Sequence, residues 1–283
     1  MSRLRVGSTL LFVLVALVAF ASASPAQQSQ SIPAAAKPQA PPPPPEHLTP
    51  PPDAQSTADG LAYKVLKPGT GDIHPDDNDL VVVDFTGWKS SDGTVFASSV
   101  TSGKPQLLPI EALIQGWTEG MQLMTEGETA RFWIPGDLAY KGIEGKPQGM
   151  LVFDVTLREI RQIPPVPDDV AAPPADAQRA SDGVAWKVLQ PGTGTRHPGA
   201  TDTVKVNYIG WTTDGKWFDS TYSRGKPASL PLNHVIQGWR EGLQQMVVGE
   251  KARIWIPEDL AYKGEEGKPK GMLVFDVELL DIE

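Results

Sequence analysis

Leu113-Ile-Gln-Gly-Trp-Thr-Glu-Gly-Met-Gln-Leu-Met124 returns further along the chain as Val235-Ile-Gln-Gly-Trp-Arg-Glu-Gly-Leu-Gln-Gln-Met246. Ile114, Trp117, Met121 and Met124 fall at helical spacing, and Ile236, Trp239, Leu243 and Met246 repeat the stripe. The passage reads as an amphipathic helix with an indole on its apolar face, present twice. Gly127 and Gly249 sit where a helix C-cap is expected. Leu151-Val-Phe-Asp-Val155 likewise returns as Leu273-Val-Phe-Asp-Val277. Trp117 and Trp239 are 122 positions apart, as are Phe153 and Phe275, so one folding unit has been duplicated. A period well beyond that of solenoid repeats indicates two complete domains, each large enough for its own core. Each copy then serves as an internal control for the other.

Outward from the helix, the elements are strands. Gly60–Leu66 and Gly183–Leu189 read as opening strands, each closed by a Pro-Gly-Thr-Gly turn. In Leu80–Gly87, Val81, Val83 and Phe85 alternate with Val82, Asp84 and Thr86, the pattern of a half-buried strand; Thr203–Gly210 is its counterpart. Hairpins are expected at Asp92-Gly93 and Asp214-Gly215. The closing strands are Leu151–Leu157 and Leu273–Leu279, with Leu151, Phe153, Val155 and Leu157 on one face. Several antiparallel strands and one short helix imply an α+β domain in which the helix lies on one face of a curved sheet.

The N-terminus reads as an address. Arg3 and Arg5 precede an apolar run from Leu10 to Phe20, and Ala21-Ser22-Ala23 supplies a small-x-small cleavage site. Residues 1–23 are therefore expected to be a signal peptide, leaving no stable membrane span and placing the protein in the periplasm or outside the cell. Residues 24–58, with Pro41 to Pro45 and Pro50-Pro51-Pro52, read as a disordered, polyproline-like spacer. A second proline-rich linker, 162–178, is expected between domains at 59–161 and 179–283.

The 283 residues carry a net charge of −9. An acidic chain without Lys/Arg clusters lacks the footprint that nucleic acid requires. The absence of cysteine excludes disulfides and thiolate chemistry. His47, His74, His197 and His234 are scattered with no neighbour at ligand spacing, so no metal site is expected.

Taken together, the motifs resemble a known family. The second copy has a Tyr-x-Gly strand end at Tyr208, Asp-Gly-x-x-Phe-Asp from Asp214 to Asp219, and Val-Ile-x-Gly-Trp from Val235. Leu-Ala-Tyr at Leu260 and Leu-Val-Phe-Asp-Val-Glu-Leu from Leu273 complete the set, whose order is similar to that of the FKBP-type peptidyl-prolyl cis-trans isomerases. The resemblance covers about a hundred residues in each copy, a usual domain length. It implies a curved antiparallel sheet wrapped around a short helix, with an apolar pocket between them and no cofactor. By the same resemblance Trp239 is the pocket floor, with Tyr208, Asp219, Tyr262 and Phe275 as the other catalytic positions. Phe218, Leu230, Val235 and Ile236 complete the substrate-binding wall, Leu230 standing where relatives have an aromatic residue. In relatives the Ile236 backbone N–H and the Tyr262 hydroxyl positions bind ligand carbonyls.

The chemistry such a pocket performs needs no nucleophile. An X-Pro bond prefers trans by only ~0.5–1 kcal/mol, yet amide resonance sets a barrier of ~18–20 kcal/mol. Twisting removes double-bond character and makes the carbonyl less polar, so a water-poor cavity favours the twisted amide over the planar one. Groups that orient the carbonyl, Tyr208 and Asp219 by the resemblance, add to this.

The first copy departs at two places: Phe85 stands for Tyr208 and Ala97 for Asp219. Phe96, Leu108, Leu113, Ile114, Trp117, Tyr140 and Phe153 remain as its expected substrate-binding residues. In relatives the lost hydroxyl and carboxylate bond each other, and removing one alone would strand a partly buried polar group at ~1–3 kcal/mol. The paired loss implies a first domain that binds an apolar or prolyl segment and turns it over slowly. The resemblance also implies macrolides as a class of ligand; the loops 141–150 and 263–272, shorter than in the best-known relatives and without the overhanging Ile-Pro-Pro, bear on that affinity and on substrate preference.

The leading expectation is a prolyl isomerase acting on unfolded or nascent exported polypeptides with X-Pro bonds. The alternatives are a holding chaperone with incidental turnover and a structural spacer at the cell envelope.

Overall fold

Val81 and Val83, fully buried, lie on the inner face of the ten-residue strand Leu80–Lys89 of the first sheet. The computed structural model describes Pro42 and residues 45–283, so the expected signal peptide lies outside the described residues. In the first copy the elements run β1 (Gln55–Ser56), β2 (Ala62–Lys67), β3 (Leu80–Lys89), β4 (Val95–Ser98), β5 (Gln106–Pro109), α1 (Gln115–Leu123), β6 (Thr129–Ile134) and β7 (Leu151–Arg161). The second copy repeats them as β8 (Gln178–Arg179), β9 (Ala185–Gln190), β10 (Thr203–Thr212), β11 (Trp217–Ser220), α2 (Thr221–Arg224), β12 (Ala228–Pro231), α3 (Gln237–Leu243), β13 (Lys251–Ile256) and β14 (Leu273–Ile282).

Every strand pairing is antiparallel, and the two sheets have one topology: β1-β2-β6-β7-β3-β4 corresponds to β8-β9-β13-β14-β10-β11. One edge of β3 is shared, β5 pairing with its first half and β4 with its second; β12 and β11 share β10 likewise. Between these short strands the chain leaves the sheet, and in the second copy that excursion is the one-turn helix α2. The α+β expectation holds, with α2 an addition that the hydrophobic pattern does not reveal.

Each core lies between the long helix and the concave sheet face, Met121 and Met124 meeting Phe132, Phe153 and Leu157 in the first copy. The glycines of the repeated helix motif allow that approach. A Cβ on Gly116 would collide with Ile134, and one on Gly238 with Ile256. The aspartate of the Leu-Val-Phe-Asp-Val strand points outward into a two-pronged ion pair. Arg131 donates to Asp154 at 2.5 and 2.8 Å, and Arg253 to Asp276 at 2.6 and 2.8 Å.

Two expectations differ from the structure. Gly127 and Gly249 are not helix C-caps: the helices end at Met124 and Gln244, and the glycines take φ of +82° and +85° in the tight turn that enters the next strand. The proline-rich segments are also not free spacers where they are described. Leu48 and Ala54 pack on the cluster of Ala62, Trp133 and Val152, and the His47 carbonyl accepts from Trp133 Nε1 at 3.1 Å. In the linker Ile163 and Val170 are buried, and the Asp169 carbonyl accepts from Trp255 Nε1, also at 3.1 Å. The straps run irregularly, with turns closed by Ala54 N–H to Pro51 O, Val170 N–H to Pro167 O and Ala177 N–H to Pro174 O, and their few apolar side chains find the outer sheet face. The duplicated unit thus starts near His47 and Asp169, before the first sequence similarity.

Candidate functional site

The aromatic floor forms where the Trp of the helix meets the strand phenylalanine. Trp239 and Phe275 stand edge to face at 5.2 Å, and Trp117 and Phe153 at 5.3 Å. Tyr208 joins Trp239 at 4.8 Å, and Phe85 joins Trp117 at 5.2 Å. The Tyr-x-Gly motif has a steric reason: a Cβ on Gly210 would lie 2.5 Å from Phe275 and 2.9 Å from Phe218, and Gly87 is equally confined by Phe153 and Phe96. Glycine therefore lets two phenyl rings lie against the strand backbone.

In the second copy Tyr208, Asp219, Leu230, His234, Val235, Ile236, Trp239, Tyr262 and Phe275 line one cavity of about 220 Å³. The structure brings eight of the nine sequence-predicted positions to it. Phe218 is the exception: it does not line this cavity but packs edge to face on Phe275, ring centres 5.6 Å apart. Exposed His234 at the rim is an addition. In the first copy Phe85, Phe96, Leu108, Leu113, Ile114, Trp117, Tyr140 and Phe153 all line the corresponding cavity, about 350 Å³, with Ala97, Ala112 and Lys146.

The polar edge of the second cavity is a triad rather than a pair. The Tyr208 hydroxyl donates to Asp219 Oδ2 at 2.5 Å, Arg224 pairs with Asp219 Oδ1, and Arg224 Nη2 donates to the Tyr208 oxygen at 2.8 Å. The Arg224 guanidinium also lies 5.4 Å from the Tyr208 ring centre. Burial first, then the bond to Asp219, pushes the Tyr208 pKa up to about 12. A phenol has one proton to donate, and here it is given to the Asp219 carboxylate as a hydrogen bond. Tyr208 is thereby fixed as a wall, while the Tyr262 hydroxyl, whose pKa burial also raises, remains as a donor on the same cavity. Ile236 is the N-cap of α3 with extended backbone, so its N–H has no acceptor within the helix.

Arg224 was not singled out from the sequence, yet a signal existed. Aligned on Phe96 and Phe218, the copies read Phe-Ala-Ser-Ser-Val-Thr-Ser102 and Phe-Asp-Ser-Thr-Tyr-Ser-Arg224. The arginine disappears together with the tyrosine and the aspartate. One anchor does persist: Ser99 Oγ accepts from Phe85 N–H at 2.9 Å and Thr221 Oγ1 from Tyr208 N–H at 2.8 Å.

The short loops fold back over the tyrosines. Lys146 Nζ lies 5.5 Å from the Tyr140 ring centre and Lys268 Nζ 5.4 Å from that of Tyr262. In the first copy Gln148 ties the loop together through the carbonyls of Tyr140, Ile143 and Lys146. Among the described residues no cluster of three or more His, Asp or Glu could hold a metal, and no helix is long and apolar enough to cross a membrane.

A family model described as FKBP-type peptidyl-prolyl cis-trans isomerase matches residues 71–158 and 194–280, together more than half of the chain. The chain is 52% identical over 105 residues to the FKBP-type peptidyl-prolyl cis-trans isomerase FkpA of Aeromonas hydrophila, covering 36% of this chain and 38% of that protein. To FkpA of Escherichia coli strain K12 it is 47% identical over 107 residues, covering 36% of this chain and 39% of the relative. The chain thus spans about two-fifths of the length of these relatives. Against the crystal structure of FkpA from Escherichia coli the identity is 44% and the TM-score 0.37, covering 39% of this chain and 53% of that one.

Proposed function

The chain belongs to the FKBP-type peptidyl-prolyl cis-trans isomerase family, and from that premise we propose that it isomerises X-Pro bonds of unfolded or nascent exported polypeptides, with the second cavity as the faster site. In this reading Trp239, Phe275 and Tyr208 provide the water-poor floor that lowers the cost of twisting the imide. The Ile236 N–H and Tyr262 hydroxyl hold carbonyls of the peptide on either side of the bond that turns. Asp219 and Arg224 keep Tyr208 in one orientation and place a polar edge beside the rotating carbonyl. None of these groups exchanges a proton or forms a bond, so the site requires neither cofactor nor metal.

The observation that carries the reading is the contrast between copies. Around the same Trp–Phe floor, one cavity has Tyr208 and Asp219 held by Arg224, and the other has Phe85 and Ala97, with Ser102 at the sequence position of Arg224. The first cavity is larger, about 350 against 220 Å³, and its wall is apolar where the second is charged. This favours the first domain as a binder of apolar or prolyl segments with little turnover, and hence a holding contribution beside catalysis. The apolar run at Leu10–Phe20 supports a periplasmic or secreted protein. Macrolides are a further class of ligand to test on either cavity.

The test is a coupled assay on a short X-Pro peptide with the full chain. Tyr208→Phe combined with Asp219→Ala should lower kcat/KM by roughly 10²-fold, a loss of ~2.7 kcal/mol of transition-state stabilisation. Trp117→Ala should leave that rate nearly unchanged while weakening suppression of aggregation by a client. Equal losses from both would refute the division of labour.

A further inference from the structure

The two copies touch at the back of the second cavity. Arg161, at the end of β7, donates from Nη1 to the Ser223 carbonyl of α2 at 2.6 Å. That carbonyl is in the last turn of a one-turn helix, where no intrahelical donor is available and a cation is favoured. Glu159 holds Arg161 from the other side, at 2.9 and 3.2 Å. Gly225, the left-handed C-cap of α2 at φ +67°, lies so close to this pair that a Cβ would be 3.0 Å from Glu159 Oε1 and 3.1 Å from Arg161 Nε. Tyr222 of the same turn packs into a cluster holding Leu80 of the first copy and Ile163 of the linker. Asp79, buried beside Leu80, accepts from the Ile163 N–H at 2.9 Å and fixes the linker there.

Asp79 and Gly225 have identical counterparts in Asp202 and Gly103, but three other residues of this contact differ between the copies. Tyr222 corresponds to Val100, Leu80 to Thr203, and Arg161 to Glu283 at the chain end. Next to Ser223 in α2 is Arg224, whose guanidinium holds both Asp219 and the Tyr208 hydroxyl.

We propose that the first copy is a positioning partner for the second cavity: Arg161 docks on α2 and thereby sets Arg224 and the Tyr208–Asp219 pair. This rests on the reading of the second cavity as the faster isomerisation site. The first copy would then contribute to catalysis without turning over substrate in its own pocket. Arg161 touches no residue that lines the second cavity, so its effect falls on kcat, with KM almost unchanged.

The test uses the full chain, Arg161→Ala, Arg161→Lys and Leu80→Thr, beside Arg224→Ala as the direct lesion. Arg161→Ala is expected to lower kcat for an X-Pro peptide by about three- to tenfold, with most of the rate regained in Arg161→Lys. Backbone amide exchange at Tyr222–Gly225 should accelerate in Arg161→Ala and Leu80→Thr, which reports on α2 whether or not turnover changes. Loss in Arg224→Ala with unchanged rate and exchange in Arg161→Ala overturns the coupling and leaves the cavity assignment standing. No loss in Arg224→Ala or in Tyr208→Phe with Asp219→Ala means that the cavity assignment itself has failed. A variant that unfolds, seen as global exchange, is replaced by Arg161→Lys, whose slower α2 exchange relative to Leu80→Thr must still appear.

Discussion

Tyr208 stands edge-on to Trp239, ring centres 4.8 Å apart at 83°, and the pair Phe85–Trp117 reproduces it at 5.2 Å and 86°. Duplication has kept the aromatic geometry and changed only what the ring carries. A phenylalanine fills the same volume, so the core is undisturbed, while the hydroxyl, the carboxylate and the guanidinium vanish as a set. Removing one member alone would leave a charged or polar neighbour without its partner, whereas removing all three leaves an apolar wall.

The exchange should be reversible. In a chain whose second cavity carries Tyr208→Phe with Asp219→Ala, the set Phe85→Tyr, Ala97→Asp and Ser102→Arg is expected to raise kcat/KM for an X-Pro peptide by ~10-fold. Phe85→Tyr alone should give little, because its hydroxyl would have neither acceptor nor donor. The peptide assay on the five-fold variant decides the matter; no gain would mean that the wall is immaterial to the rate.

Alkaline pH gives a second reading of the triad. Below about pH 10 Tyr208 is protonated whether the chain is folded or not, and its contribution to stability is complete. Between about 10 and 12 the unfolded phenol ionises while the folded one keeps its proton, so stability falls with rising pH and levels off above 12. Over that window the wild type should lose about 2–3 kcal/mol through this group, and Tyr208→Phe correspondingly less. Tyr140, Tyr222 and Tyr262, also raised by burial, add to the slope of both proteins equally. Urea unfolding at a series of pH values checks the difference, and parallel curves would contradict the raised Tyr208 pKa, to which burial contributes first and Asp219 second.

Gly210→Ala tests the support beneath the floor. Its Cβ would come 2.5 Å from Phe275, a ring pinned between Trp239 and Phe218, so relief requires moving the wall of the cavity. A loss of about 1–3 kcal/mol in stability is expected, together with a fall in kcat/KM. Gly264→Ala is the contrasting case: a Cβ there meets nothing nearer than Glu258 Oε1 at 3.7 Å, and its φ of +74° strains only a surface loop. That variant should lose stability without losing rate.

Much of this was legible in the residues. The period-two pattern at Val81, Val83 and Phe85 gave the strand, and the Ile236, Trp239, Leu243 stripe gave the helix, because in each the buried face recurs at the element's own repeat. Comparison of the copies exposed Phe85 and Ala97. Arg224 escaped because its role depends on α2, a single turn too short to carry a periodic signal. The straps escaped for another reason: a few apolar side chains among prolines resemble a linker until an outer sheet face is present to receive them. The Arg161 contact is a matter of how the two copies meet, which no pattern within one copy contains.

The strap offers the last test. The Trp133 indole, 1% exposed, gives its N–H to the His47 carbonyl, and Leu48 covers the same ring cluster. Starting the chain at Asp53 would leave that N–H without its acceptor, at ~1–3 kcal/mol, and uncover part of an apolar face worth a further ~1–2 kcal/mol. The first domain should then unfold at lower urea, the second unchanged, because its own strap at Asp169 and Val170 is intact. Trp133→Phe separates the two contributions. In the full chain it removes the donor and strands the carbonyl; in the shortened chain the partner is already gone, so the same substitution should cost less. A double-mutant cycle with zero coupling would show that the strap lies on the sheet without stabilising it.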